Sequence, residues 1–297
     1  MSQPIWRPDR NLYPFAGRHF DVGDGVRLHS LDEGRGEPVV MLHGNPTWSF
    51  MYRNLVLALR DRFRCIIPDH VGCGLSDKPP FSRYDYSLAR RVADLTRLLD
   101  QLEVREHVTL VVHDWGGMIG SAWAARFPER IKRLVIFNTA GFPMPASARL
   151  PRSLGWGRNT PFGAVAIRGF NAFCRLALRW CPMKPLPPEV ARMYLAPYDS
   201  WAHRIAVLKF VQTIPLSERD PGYDIVRETG ERLQLLRDRP MLICWGMHDF
   251  VFDEHFLDEW QRRFPAAEVH RFEDAGHYLL EDAGDAVIPL VDRFLSR

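Results

Sequence analysis

Asp114 is the residue whose type and position indicate chemistry most specifically. It follows the apolar run 108–112, with His113 between them, and precedes Trp115, Gly116 and Gly117. An apolar run that ends in a polar residue and glycines predicts a buried strand, a sharp turn and then a helix. A carboxylate on such a turn can attack an electrophilic carbon and form an ester or an anhydride. We therefore expect Asp114 to be a nucleophile.

His277 and Asp249 are the residues expected to serve this nucleophile. His277 lies near the end of the chain, after a predicted strand and directly after Gly276. Asp249 follows the apolar run 241–246, and its carboxylate would orient the imidazole and hold the positive charge when that forms. The order Asp114, Asp249, His277 along the chain is the order of nucleophile, acid and base in α/β-hydrolases. The three residues therefore predict a catalytic triad.

Other residues compete with Asp249 for the role of the acid. Asp253 and Asp258 follow the same predicted strand but lie further from its end. Asn138 ends the preceding predicted strand, where some α/β-hydrolases place a glutamate, and its amide cannot act as an acid. This comparison favours Asp249.

The segment around Asp114 resembles the nucleophile elbow of the α/β-hydrolase fold. The usual pattern G-x-S-x-G is altered at two positions, because Val112 occupies the first small-residue position and Asp114 occupies the serine position. Gly116 keeps the last small position, where a side chain would crowd the turn. The resemblance implies an α/β-hydrolase with an aspartate nucleophile.

Asn45 and Trp115 are the predicted donors for negative charge that develops during the reaction. Asn45 lies in the His-Gly-Asn-Pro motif at 43–46, and Trp115 follows the nucleophile directly. Their backbone N–H groups are the expected oxyanion donors. The Asn45 amide and the Trp115 indole N–H add two side-chain donors, which suit an anionic leaving group or an incipient carboxylate.

The elements that must position these residues follow from apolar runs that lead into Gly, Asn or Asp. These runs lie at 38–42, 63–68, 108–112, 134–137, 241–246 and 269–272. Such short, nonalternating runs are typical of parallel strands covered on both faces. Helical patterns lie between them, at 87–102 with Ser87 as N-cap and at 117–127. We predict an α/β fold with a mostly parallel, doubly wound sheet, whose ligands bind at the carboxyl ends of the strands.

Residues 142–230 break this alternation. The segment is rich in Pro, Arg and aromatic residues, with helical stretches near 163–179 and 189–214. We predict a helical cap inserted over the site, which would exclude water and shape the substrate pocket. The α/β core would then consist of residues 1–141 and 231–297.

The composition excludes several other classes of protein. A chain of 297 residues with 46% hydrophobic and 25% charged residues can bury a large core. The formal net charge of +3, with no Lys/Arg run, gives no reason to expect a nucleic-acid partner. Its cysteines form no CxxC pair, which predicts free thiols in a reducing cytoplasm. They are Cys65, Cys73, Cys174, Cys181 and Cys244.

The sequence gives no sign of a signal peptide, a membrane span or a metal site. The first residues, 1–7, contain no apolar core of a signal peptide. No apolar stretch reaches the roughly 18 residues that a transmembrane helix needs. His70 and His113 lack metal-ligand spacing, and the loop at 72–74 lacks the pattern of a phosphate loop.

Two motifs closely resemble the haloalkane dehalogenase group of α/β-hydrolases. They are His-Gly-Asn-Pro-Thr-Trp-Ser at 43–49 and His-Asp-Trp-Gly-Gly at 113–117, and the resemblance covers essentially the whole chain. The resemblance implies that Asp114 is the nucleophile, His277 the base and Asp249 the acid. Asn45 and Trp115 would correspond to the pair that binds halide in true dehalogenases.

Segments 244–253 and 276–282 look more like a branch of this group, the β-lactone decarboxylases of bacterial long-chain olefin biosynthesis. That branch uses the same triad and the same Asn/Trp pair. The cap also offers aromatic residues suited to long apolar chains, namely Phe162, Phe170, Phe173, Trp180, Tyr194 and Trp201. We therefore favour a β-lactone decarboxylase over a dehalogenase.

The resemblance implies conversion of a cis-dialkyl β-lactone to a cis-alkene and carbon dioxide. Asp114 would attack either the carbonyl, giving a mixed anhydride, or the ring carbon that bears oxygen. His277 would activate water or manage protons during breakdown. No cofactor or metal is required. The implied partners are a long-chain β-lactone substrate and other olefin-pathway enzymes, such as the β-lactone synthetase.

Three alternatives stay open. In a haloalkane dehalogenase, Asp114 would displace halide and His277 would drive water onto the alkyl ester. An epoxide hydrolase would need cap tyrosines to protonate the epoxide oxygen, for which Tyr194 and Tyr198 are available, but Asn45 disfavours that family. A noncatalytic ligand receptor on the same fold would have little reason to keep nucleophile, acid and base together.

Overall fold

A computed structural model describes residues 6–297 of the chain. Residues 1–5, on which the expectation of no signal peptide partly rests, lie outside the described residues. Within 6–297, eight strands form one sheet in the order β1-β2-β4-β3-β5-β6-β7-β8. The strands are β1 (Arg18–Asp21), β2 (Arg27–Glu33), β3 (Pro38–Leu42), β4 (Arg64–Pro68), β5 (Val108–Asp114), β6 (Ile131–Thr139), β7 (Met241–Gly246) and β8 (Glu268–Phe272).

The six predicted strands are β3 to β8, and all pairings among them are parallel. The predicted α/β class with a mostly parallel sheet is thereby confirmed. Strands β1 and β2, which the sequence analysis did not predict, pair antiparallel at one edge. Strand β1 is short, polar and mostly exposed, and β2 mixes polar and apolar residues. Neither therefore contains the continuous apolar run that marked the other strands.

The strand faces explain the continuous apolar runs. Val40 and Leu42 of β3 pack into one buried cluster, and Val39 and Met41 of the same strand pack into another. Successive side chains of a strand point to opposite faces. Both faces of the sheet are therefore covered, as the apolar runs predicted.

Helices cover these two faces and one end of the sheet. Ser87 caps α2 by accepting a hydrogen bond from the backbone N–H of Arg90, which confirms the predicted cap. The helices are α1 (Arg53–Leu59), α2 (Leu88–Gln101), α3 (Trp115–Arg126), α4 (Arg152–Asn159), α5 (Pro161–Phe170), α6 (Ala172–Trp180), α7 (Pro188–Leu195), α8 (Ile205–Gln212), α9 (Tyr223–Arg232), α10 (Glu254–Arg263), α11 (Leu279–Asp282) and α12 (Gly284–Leu295).

The two long helical stretches predicted between β6 and β7 are each divided. Asn171 has a left-handed φ of 54° between α5 and α6, and its amide donates to Tyr198 O at 3.2 Å. The second stretch is divided into α7 and α8 by 3₁₀ turns, the first of which contains Pro197. We call the helical segment 142–230 the cap, and its extent as a separate unit stays a prediction.

Two further features concern the described residues as a whole. No helix in the range 6–297 is long and apolar enough to cross a membrane. All five cysteines are buried and unbridged.

Candidate active site

Asp114 lies at the junction of β5 and α3 in a conformation that few residues adopt. Its φ is 51° and its ψ is −126°, which lies outside the regions favoured by non-glycine residues. A Cβ at Gly116 would come within 2.1 Å of the carbonyl oxygen of Leu42. The sharp turn therefore depends on glycine at 116, and it places the buried Asp114 carboxylate at the carboxyl end of the strand, in the wall of a cavity.

The loop after β3 holds this carboxylate through its backbone. The Asn45 N–H donates to Asp114 Oδ1 at 2.6 Å, and the nearby backbone amide of Trp115 also favours the ionised carboxylate by lowering its pKa. A Cβ at Gly44 would lie 1.9 Å from Asp114 Oδ1, so only glycine permits this approach. The two amides that were expected to face a developing oxyanion thus hold the nucleophile candidate itself.

His277 and Asp249 lie together beside Asp114. His277 Nδ1 is 2.7 Å from Asp249 Oδ2, and His277 Nε2 is 3.8 Å from Asp114 Oδ2. The other Asp249 oxygen accepts backbone N–H bonds from Val251 at 2.7 Å and Phe252 at 3.0 Å. These bonds fix the carboxylate, which in turn orients the imidazole. The structure therefore brings the three predicted triad residues into mutual reach.

The competing residues from the sequence lie elsewhere. Asp253 caps α10 by accepting from the backbone N–H of His255, and Asp258 is exposed. Asn138 exchanges two hydrogen bonds with the backbone of Gly246, at 3.0 and 2.8 Å. Its buried amide thus ties β6 to β7 just before the loop that carries Asp249.

The electrostatic environment raises the pKa values of both Asp114 and His277. Burial raises the pKa of the Asp114 carboxyl above its ordinary value, although His277 and the amides of Trp115 and Asn45 act against burial. Burial lowers the pKa of the His277 imidazole, but the negative charges of Asp249 and Asp114 outweigh it and the net pKa is raised. The site therefore favours a protonated imidazole between two carboxylates.

The other buried histidines near the site have structural partners. His70 Nε2 donates to the carbonyl oxygen of His43 at 2.9 Å, and His43 Nε2 accepts from the His70 N–H at 3.0 Å. His113 Nε2 donates to the carbonyl oxygen of His277 at 2.8 Å. Burial lowers the pKa of His43 to about 4. These neutral rings support the loops that carry the site.

The side chains of Asn45 and Trp115 both line the cavity beside Asp114. Asn45 Nδ2, which carries two N–H donors, uses one of them for Val207 O in α8 at 3.3 Å. The Trp115 ring packs against Phe210, with ring centroids 5.1 Å apart. The Arg91 guanidinium lies 3.5 Å from the Phe210 ring on α8. The sequence analysis did not single out Arg91 or Phe210, because neither lies in a recognisable motif.

A cavity of about 310 Å³ lies between Asp114 and the cap. Apart from Asp114, His277 and the Asn45/Trp115 pair, its lining is dominated by apolar side chains from α4, α5, α6, α10 and the adjoining loops. Of the six cap aromatics expected to receive a long apolar chain, Phe173 and Trp180 line it. The expectation was wrong for the other four, which are Phe162, Phe170, Tyr194 and Trp201.

Tyr194 and Tyr198 instead anchor the cap to the core. The Tyr194 hydroxyl donates to Glu281 Oε1 at 2.5 Å, and Glu281 also receives two hydrogen bonds from the Arg53 guanidinium. The Tyr198 hydroxyl donates to Thr47 O at 3.1 Å. Neither tyrosine is among the residues that line the cavity. The two candidates for protonating an epoxide are thus buried in other contacts.

Comparison with known proteins places this geometry in context. A family model described as the alpha/beta hydrolase fold matches residues 37–284. A cis-3-alkyl-4-alkyloxetan-2-one decarboxylase of Shewanella oneidensis is 54% identical over 96% of this chain and 90% of its own length. A protein of the same name from Xanthomonas campestris is 46% identical, over 96% and 97%. Haloalkane dehalogenase 2 of Mycobacterium tuberculosis is 33% identical, over 97% and 98%.

Proposed function

The chain belongs to the α/β-hydrolase family, and within that family we propose that it decarboxylates cis-3-alkyl-4-alkyloxetan-2-ones, which are β-lactones. The observation that carries this proposal is the difference in relatedness. Two relatives named as decarboxylases of these lactones are 54% and 46% identical to the chain, whereas the haloalkane dehalogenase is 33% identical. Loss of carbon dioxide from such a lactone leaves an alkene that carries the two alkyl groups.

The shape and chemistry of the cavity support an apolar substrate with one polar reactive end. Asp114, Asn45 and Trp115 lie together at one part of its wall, and apolar side chains dominate the rest. Apolar walls would receive the alkyl chains, and the polar part would receive the lactone ring. A small hydrophobic substrate is therefore the class that fits this site.

In the first step that we propose, an Asp114 oxygen attacks C4, the ring carbon that bears oxygen. The C4–O1 bond breaks, and its electrons make a carboxylate that stays attached through C3. The Asn45 amide and the Trp115 indole would stabilise this new negative charge. The product of the step is an ester between Asp114 and C4.

In the second step, the C3–C2 bond breaks and carbon dioxide leaves. Its electrons form the C3=C4 double bond, while the bond between C4 and the Asp114 oxygen breaks. The Asp114 carboxylate is restored, and no water is consumed. Attack at C4 inverts that carbon, and anti elimination then gives the cis-alkene from the cis-lactone. We favour this route over attack at the carbonyl because it restores the nucleophile directly.

His277 has a particular role in this sequence of steps. Since no water has to be activated, the imidazole acts through its positive charge rather than as a base. Its Nε2 atom lies 3.8 Å from Asp114 Oδ2. The positive charge of the imidazolium would therefore stabilise the Asp114 carboxylate as that group leaves C4. Asp249 would hold the imidazole in place and keep it protonated.

We expect activity to fall at both ends of the pH range. As pH decreases, Asp114 becomes protonated and cannot attack, and its raised pKa places this loss above the range of an ordinary aspartate. As pH increases past the raised pKa of His277, the imidazolium and its contribution are lost. The measurement is kcat/KM for alkene formation against pH. A rise of activity through the upper pKa would contradict the role of the cation and favour a neutral base.

A comparison of substrates tests the proposed reaction. The purified protein would receive a long-chain cis-β-lactone, a bromoalkane and a trans-epoxide, and products would be identified by gas chromatography. We expect cis-alkene from the lactone with little halide release. Halide release without alkene would instead identify a haloalkane dehalogenase.

We further propose that the protein works in the cytoplasm beside other enzymes of olefin biosynthesis. The five buried, unbridged cysteines support a reducing compartment. An apolar lactone has little tendency to diffuse through water, which supports its transfer from a neighbouring enzyme that forms the ring. Co-purification of the chain with the lactone-forming enzyme from its native host tests this association.

A further inference from the structure

Four apolar side chains both line the cavity and reach solvent, and we call them the mouth residues. Large apolar side chains that remain exposed side by side commonly mark a binding surface. The exposed fractions are 50% for Trp156, 42% for Leu176, 52% for Trp180 and 41% for Phe250. The opening of the cavity is therefore rimmed by apolar groups.

The first half of the cap is positively charged. Residues 141–188 contain no Asp or Glu, although the whole chain has 36 acidic and 39 basic residues. The basic residues of this segment are Arg149, Arg152, Arg158, Arg168, Arg175, Arg179 and Lys184. A nearly balanced chain thus concentrates positive charge in the helices that surround the cavity.

Two of these basic side chains are held within the protein. Arg158 pairs with Asp220, and Arg168 lies 4.4 Å from the Trp201 ring. The other five are exposed, and across residues 6–297 their side chains show no hydrogen bond or ion pair. We call these five the basic set: Arg149, Arg152, Arg175, Arg179 and Lys184.

The basic set and the mouth residues share the same helices. Arg175 and Arg179 are one turn apart on α6, and Leu176 and Trp180 are the next residue in each case. Residues four apart lie on one helix face, so two arginines and two apolar side chains form adjoining stripes. Arg149 itself lines the cavity. Cations therefore lie beside the apolar mouth.

We propose that this face of the cap binds the surface of an anionic lipid bilayer. Segments that lie in a membrane interface commonly combine arginine and lysine with tryptophan and leucine. The cations would contact lipid phosphates, and the mouth residues would enter the boundary between headgroups and acyl chains. Charge complementarity favours an anionic surface, because the segment carries no acidic residue that would repel it.

This orientation would turn the cavity mouth toward the bilayer. An apolar substrate dissolved in the membrane would then reach Asp114 without crossing water. That consequence rests on the proposed function, whereas binding to the bilayer does not. The test is therefore made without substrate, so that its failure and the failure of the proposed reaction are distinguishable.

The experiment is flotation of the full chain with vesicles. We expect binding to vesicles of phosphatidylglycerol and phosphatidylethanolamine, release by high salt, and little binding to pure phosphatidylcholine. The variant Arg175→Glu/Arg179→Glu should lower the fraction bound by roughly tenfold or more. The variant Arg175→Lys/Arg179→Lys keeps the charge and should still bind.

The matched control reverses the charge of two exposed arginines at the opposite end of the strands from the cavity. Arg105 precedes β5 and Arg237 precedes β7, so both lie near the amino ends of strands. Arg105→Glu/Arg237→Glu should bind vesicles like the unchanged protein. Equal binding by both reversal variants, or no binding to anionic vesicles, would overturn the proposal. So would a dimer in sedimentation velocity that only the cap reversal dissociates, because the face would then be a protein interface.

Discussion

Replacement of Asp114 by alanine is expected to reduce alkene formation by roughly 10⁴-fold or more, because it removes the atom that forms the bond to C4. The elbow holds this carboxylate with backbone amides and no other carboxylate lies on the residues that line the cavity within 6–297. The measurement is the single-turnover rate with a cis-β-lactone.

Folding of this variant can be separated from catalysis. Burial raises the pKa of Asp114, which means that the folded state penalises its ionised form at neutral pH. Asp114→Ala should therefore unfold at the same temperature as the unchanged protein or at a higher one. Asp258→Ala removes an exposed carboxylate and is the matched control, which should retain full activity. Substantial turnover by Asp114→Ala would refute the aspartate nucleophile.

Replacement of His277 by alanine is expected to slow turnover by roughly 10³-fold, which is the scale for losing one electrostatic contact to a developing charge. Without the imidazolium, the Asp114 carboxylate leaves C4 more slowly, and the ester should accumulate. Intact-protein mass spectrometry should then show an increase equal to the whole lactone. Peptide mapping should place the added mass on the peptide that contains Asp114.

The control for this variant is His248→Ala. His248 is exposed and adjacent to Asp249 in sequence, and the backbone N–H that it donates to Ala275 O survives the substitution. It should show normal rates and no adduct. An unmodified mass for His277→Ala during slow turnover would argue against an ester intermediate that depends on the imidazolium.

Much of the architecture could be predicted from short stretches of sequence. The runs that became β3 to β8 are mainly apolar, with polar residues only at Arg64, Thr109, His270 and Arg271. Helices alternate with these strands along the chain. The resemblance to the haloalkane dehalogenase group and its β-lactone decarboxylase branch, based on two motifs and two later segments, is confirmed by the relatives. Each of these signals lies within a few neighbouring residues, where pattern and structure are directly linked.

The candidate site could be predicted less completely. The sequence analysis identified Asp114, Asp249 and His277, and the structure places them within reach of one another. It did not anticipate that the backbone N–H of Asn45 donates to the Asp114 carboxylate, or that the Arg91 guanidinium packs on the Phe210 ring. It also named six cap aromatics as available to a long apolar chain, of which two line the cavity.

The sequence by itself determined the residue type of the candidate nucleophile, the order of the triad candidates along the chain and the mostly parallel character of the sheet. These properties depend on residue type and local periodicity, which a linear chain already contains. Only the tertiary structure decided which cap side chains line the cavity, where the cap helices break and which amides hold Asp114. Those properties depend on contacts between residues far apart in the chain, such as Asn45 and Asp114, and such contacts exist only after the elements have packed.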